Sequence, residues 1–169
     1  ADRMETIECW EIALKSKKTP SILSLTRQNL KPVRKKYSNM NMCSFGAYEV
    51  FRTNKKINLT ILASGSEVNL AIETSHKLAK DRIYSKVISM PCFNIFDEQS
   101  KTYKKKILAE TKNIISIEAA STDSWKKYIG TNGLSFGIDA FGKSAPYKDI
   151  YKHFGLTAKN IINKSKKLL

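Results

Sequence analysis

Residues 56–64, KINLTILAS, form a nearly unbroken apolar run, and GSEVNLAIETSHKLAK follows at once. A strand that does not alternate apolar with polar residues is the kind buried on both faces, with helices above and below its sheet. In the following segment Val68, Ala71, Ile72, Ser75, Leu78 and Ala79 recur at three- and four-residue steps and share one helix face. A buried strand turning directly into an amphipathic helix commits the chain to an α/β architecture.

The alternation continues downstream. YSKVISM and NIISIEA read as strands, FDEQSKTYKKKILAE as one helix, SWKKYIG as a short helix and GLSFGIDAFG as strand or loop. APYKDIYKHFG and TAKNIINKSKKLL read as closing helices, the last with Thr157 as N-cap and Ala158, Ile161, Ile162, Ser165 and Leu168 as its apolar stripe. This order predicts a mainly parallel sheet covered on both sides. GAYEVF and INLTIL are too close in sequence for a parallel crossover, so that pair is expected to be antiparallel.

Upstream, Met4, Ile7, Trp10 and Leu14 give one apolar helix face, which ends at KSKK. TPSILSLT then reads as a buried strand, and residues 28–44, polar and basic with Pro32 and YSNMNM, as a linker. The chain begins without Met and enters a helix pattern almost at once, so a larger parent is expected.

The net charge of +15 raises the question of nucleic acid. The basic clusters (KSKK, RKK, KKK and a second KSKK) do not alternate with stacking aromatics, as a single-strand binder requires, so they read as solvated charge with no specific nucleic-acid partner. No apolar run approaches transmembrane length. Cys9, Cys43 and Cys92 are far apart, odd in number and contain no CxxC, which favours a reducing, cytoplasmic setting over a disulfide framework. His76 and His153 lack nearby ligands at metal spacing.

Three turns could hold a ligand. SGSEV lies at a strand-to-helix turn, but it lacks the G-x-G-x-x-G and G-K-[ST] patterns, and Ser64 and Glu67 have capping-box spacing. SIEAASTDSW offers Glu118 at a strand end with Asp123 and Trp125 beyond; its bland reading is that Glu118 accepts backbone N–H bonds from the next helix. In FGKSAP, Ser144 reads as an N-cap and Pro146 as a first-turn residue. Arg27, in LTRQNL, stands where the SILSL strand gives way to a loop. A guanidinium fork at that place suits either a phosphate or a structural ion pair.

Taken in order, ADRMET with CW, LTRQNL, GAY, LASGSEV, VISMP, FDEQ with Tyr103, IEA, FGKSAP and FGLTAKNI make the chain resemble the C-terminal portion of transketolases over essentially its whole length. The resemblance implies an α/β three-layer sandwich with a mixed, mostly parallel five-stranded sheet. It implies that residues 1–36 are the tail of a pyrimidine-binding domain and residues 40–169 a separate C-terminal domain. The family's arginine in RQNL contacts the substrate's sugar phosphate, which implies that role for Arg27. Lys31 stands before Pro32, where the family often has proline directly after RQNL.

The parent reaction implied is two-carbon ketol transfer between ketose and aldose phosphates by a homodimer. Its cofactors are thiamine diphosphate and Mg²⁺. The family's G-D-G…N motif, thiamine-activating glutamate and catalytic histidines do not occur here, so this chain alone is expected to hold neither cofactor nor activity. Rival readings are dihydroxyacetone synthase, deoxyxylulose-phosphate synthase, a pyruvate dehydrogenase subunit, a basic nucleic-acid-binding α/β module, and a non-catalytic dimerisation or regulatory domain.

Overall fold

The computed structural model describes residues 1–35 and 38–169. Lys36 and Tyr37, at the end of the expected 1–36 unit, within the expected linker and in part within the RKK cluster, lie outside the described residues.

Five strands form one mixed sheet: β1 (Tyr48–Arg52), β2 (Leu59–Ala63), β3 (Ser85–Ser89), β4 (Ile114–Ile117) and β5 (Leu134–Phe136), in the order β1-β3-β2-β4-β5. The pairs β2–β3, β2–β4 and β4–β5 are parallel, and β1 runs antiparallel to β3. β1 and β2 run antiparallel, as expected, but among the described residues they do not pair with each other, because β3 lies between them. The link between them crosses the start of β3 instead. Thr53 N–H donates to the Ser85 carbonyl at 3.0 Å, and Asn58 N–H donates to the Tyr84 carbonyl at 2.8 Å. β3 fills the gap that this link spans.

Alternation along the strands divides the core. Ile61, Ala63, Val87, Ile115 and Ile117 meet α2 (Glu67–Lys80) and α7 (Ala158–Ser165) through Val68, Ala71, Leu78 and Ile161. Leu62 and Ile88 meet α3 (Phe93–Asp97), α4 (Lys101–Leu108) and the short α5 (Lys126–Ile129) through Phe96, Ile107 and Tyr128. The layers are helix, sheet, helix, as expected. The stripes read from sequence on α2 and α7 are the faces that pack, and Thr157 caps α7 by accepting from Asn160 N–H.

FDEQSKTYKKKILAE is not one helix. The chain breaks after α3, and Ser100 restarts it by accepting from Tyr103 N–H at 3.1 Å. α6 (Tyr147–Phe154) has Pro146 rather than Ser144 as its N-cap, because the extended backbone at Pro146 delays the first helical turn by two residues.

The N-terminal segment departs furthest. α1 (Arg3–Lys15) forms, but Met4, Ile7, Trp10 and Leu14 are exposed, while Glu5 and Glu8 are buried. TPSILSLT is not a strand. It runs as exposed irregular chain, with Ile22 96% exposed, because among the described residues no strand lies beside it to take its backbone bonds. No helix among the described residues is long and apolar enough to cross a membrane.

Candidate functional site

The parallel strands present their carboxyl ends on one edge, and the chain reverses its winding between β2 and β4. Ligand crevices form at such a point. Here two carboxylates occupy it. Glu67 opens α2 but makes no capping box: Ser66 is the N-cap residue and makes no side-chain cap bond. The Glu67 carboxylate instead reaches across the crevice, accepting from Ala119 N–H at 3.1 Å and from the Tyr151 hydroxyl. Ser66 Oγ donates to it at 2.6 Å.

Glu118, at the end of β4, accepts from the indole N–H of Trp125 at 2.8 Å. Glu118 thus takes a side chain of the following helical turn rather than the backbone N–H groups expected, while Ala119 N–H goes to Glu67. Burial pushes the Glu118 carboxyl above its ordinary range and the Glu67 charge adds to this, while hydrogen bonds from Trp125 and Ser64 oppose it. Burial, then the bond to Glu67, raises the Tyr151 hydroxyl likewise. With a carboxylate where a phosphate would sit and Tyr151 closing the gap, this crevice locks α2, β4 and α6 together rather than cradling an anion. Asp123 is exposed and pairs with Lys126, at 2.7 Å, one turn on.

The second constellation joins α1 to the sheet, and sequence reasoning missed it. Asp2 caps α1 through Glu5 N–H at 3.0 Å, and its other oxygen takes Val33 N–H at 3.0 Å. Burial disfavours the Asp2 charge, but backbone N–H groups of Glu5, Val33 and Arg34 outweigh it and hold the carboxyl below its usual value. Glu8 pairs with Arg34 at 2.7 Å and accepts from Cys43 N–H at 3.1 Å. Glu5 accepts from the hydroxyls of Tyr48 and Ser89. The available signal was the three-residue spacing of Asp2, Glu5 and Glu8, which gathers them on one side of α1.

Arg27 stands in a bend of the exposed segment, not at a strand end. Thr26 shapes the bend by accepting from Gln28 N–H at 3.2 Å. Two other arginines are committed: Arg34 to Glu8 and the Tyr48 ring, Arg52 to Glu49 and Glu110. Arg27 makes no ion pair among the described residues, so its guanidinium fork is free to take an anion. Also among the described residues, no three His, Cys, Asp or Glu side chains gather to hold a metal ion.

Residues 46–157 match the family model of the transketolase-like TK C-terminal domain. A transketolase of Sinorhizobium medicae is 42% identical over 170 residues, covering all of this chain and 24% of that protein. The transketolase from Leishmania mexicana superposes with a TM-score of 0.89 at 35% identity, covering 99% of this chain and 24% of that one. A Pichia stipitis transketolase in complex with sedoheptulose-7-phosphate gives 0.90 at 35% identity over the same shares. The chain thus spans about a quarter of the length of these relatives. With a five-stranded mixed sheet between two helical layers and this match from end to end, the chain belongs to the transketolase family, as its C-terminal portion.

Proposed function

We propose that this chain is the C-terminal part of an enzyme that transfers a two-carbon ketol unit between ketose and aldose phosphates in the pentose phosphate pathway, and that Arg27 grips the sugar phosphate. One observation carries the reading. The match to transketolases extends through the first 45 residues, which lie before the family-model match and contain Arg27. One of the matching structures is described as a complex with a sugar phosphate. An exposed guanidinium without a carboxylate partner suits that role. Phosphate bound far from the reacting carbon supplies binding energy that positions it.

Thiamine diphosphate and Mg²⁺ belong to the same reading of the parent. The donor set among the described residues does not fit a resident Mg²⁺. Residues 1–36 are read as the tail of the pyrimidine-binding domain and residues 40–169 as the C-terminal domain. The parent is read as a cytoplasmic homodimer without a specific nucleic-acid partner. The basic clusters support the last point, since three of them sit at the ends of different helices, α1, α4 and α7.

The test is Arg27→Ala in the complete enzyme. Loss of a charge-assisted phosphate contact should lower kcat/KM roughly 10- to 100-fold for phosphorylated donors and leave a non-phosphorylated ketol donor unaffected. Equal losses on both donors, or none on either, would refute the phosphate role. Arg27→Lys should recover only part of the loss, because an ammonium lacks the fork.

A further inference from the structure

Two of the three free cysteines lie on elements that pack together, Cys9 on α1 and Cys43 on the 3₁₀ turn Met42–Phe45 where α1 docks. The docking is close and polar. Asn41 Nδ2 donates to the Glu8 carbonyl at 3.0 Å, and Cys43 N–H donates to the Glu8 carboxylate at 3.1 Å. The Cys43 thiol lies 3.7 Å from the Glu5 carbonyl oxygen. Cys9 is one helical turn beyond Glu5, and a helical side chain leans back over the turn that precedes it. The Cys9 side chain is therefore aimed at the place that the Cys43 sulfur occupies.

The interaction between the two thiols separates their acidities. It draws the Cys9 thiol below its ordinary value and pushes Cys43 upward. Their access to solvent differs in the same sense: Cys9 is half-buried, and Cys43 is 1% exposed. An oxidant from solvent meets Cys9 first, and the neighbour placed to resolve the product is Cys43.

We propose that Cys9 and Cys43 are a peroxide-sensitive dithiol pair, whose oxidation ties α1 covalently to the sheet domain. The Cys9 thiolate attacks a hydroperoxide, the O–O bond breaks, one oxygen with its hydrogen stays on sulfur as a sulfenic acid, and the other takes up the proton that the thiol had released and leaves as water or an alcohol. The Cys43 sulfur then attacks the Cys9 sulfur, a disulfide forms, and the sulfenic oxygen leaves as water with the Cys43 proton. A thiol reductant reverses the change. The disulfide closes a loop that contains Arg27. The proposal does not depend on the phosphate role of Arg27.

The experiment treats the full chain with stoichiometric hydrogen peroxide and maps its peptides without reduction. The expected product has lost two hydrogens, joins the Cys9 peptide to the Cys43 peptide, retains a free Cys92 thiol and reverts with dithiothreitol. Cys43→Ser should stop at a sulfenic acid on Cys9 that dimedone captures. In Cys9→Ser, Cys43 should stay unreacted at the same dose. Cys92→Ser should form the disulfide as the parent chain does. The proposal is overturned by a sulfenic acid that persists on Cys9 beside a free Cys43, by a disulfide through Cys92, or by no reaction at Cys9.

Discussion

Glu5 on α1 accepts a hydrogen bond at 2.9 Å from the hydroxyl of Tyr48 on β1, and both residues are buried. The same carboxylate takes the Ser89 hydroxyl from β3. Burial, then the Glu5 charge, raises the Tyr48 hydroxyl above its ordinary acidity range, so it stays a donor across the working pH range. α1 is thus fastened by directional polar bonds, with its apolar stripe turned outward. Glu5→Ala strands two buried hydroxyls and should cost about 2–3 kcal/mol. Tyr48→Phe should cost about 1–2 kcal/mol, and the double variant less than the sum because both changes break one contact. Urea titration measures the totals, and amide exchange along α1 locates the loss. Exchange in α1 as slow in Glu5→Ala as in the parent would count against this anchor.

Gly46 follows the 3₁₀ turn with φ +72, and a Cβ there would lie 2.2 Å from the Phe96 nitrogen and 2.6 Å from the Cys92 carbonyl oxygen. Both obstacles are backbone atoms, which cannot swing aside as a side chain can. Gly46→Ala adds left-handed strain to overpacking and should lose about 2–5 kcal/mol. Thermal melting checks it. A change within about 0.5 kcal/mol, the size of an ordinary surface effect, would show that the close approach is relaxed in solution.

Glu110 bridges Arg52 at 2.8 Å and the buried Lys86 at 3.0 Å. Hydrogen bonds from Arg52 lead the causes that lower its carboxyl to about 2. A carboxyl lowered in the folded state adds stability that is present above its unfolded value and lost as pH falls through the folded one. Stability should therefore decline between about pH 5 and 2, by about 1–2 kcal/mol after discounting for solvent screening of the half-exposed pair. Glu110→Gln should show a similar loss already at neutral pH and lack that acid decline. Parallel acid denaturation curves for the two proteins would exclude the assignment.

Glu118 carries the opposite sign. Its carboxyl is raised, chiefly by burial, so its contribution is full below the ordinary value of 4.5 and lost as pH rises through the folded value. Because Trp125 donates to it, Trp125 fluorescence in a Trp10→Phe background should report a transition with its midpoint above 4.5. Glu118→Gln should abolish that transition while keeping the indole bond. A midpoint at or below the ordinary value would contradict burial as the dominant cause.

The elements whose character rests on local pattern were determined by sequence alone. KINLTILAS became β2, buried throughout, and the stripes of α2 and α7 became packed faces, because periodicity records which side of an element leaves water. Arg27 was singled out by the resemblance of RQNL to the family motif, and its phosphate role stands as a proposal. Pairing belongs to the tertiary structure. β1 lies against β3 because the link at Thr53–Asn58 bonds across the start of β3, a partnership set by chain far away in sequence. TPSILSLT has strand composition but, among the described residues, no neighbouring strand, and without one its backbone groups face water. The stripe Met4, Ile7, Trp10 and Leu14 fixed a helix but not its orientation. The buried hydroxyls of Tyr48 and Ser89 and the guanidinium of Arg34 drew the acidic face inward, because polar groups removed from water must find partners.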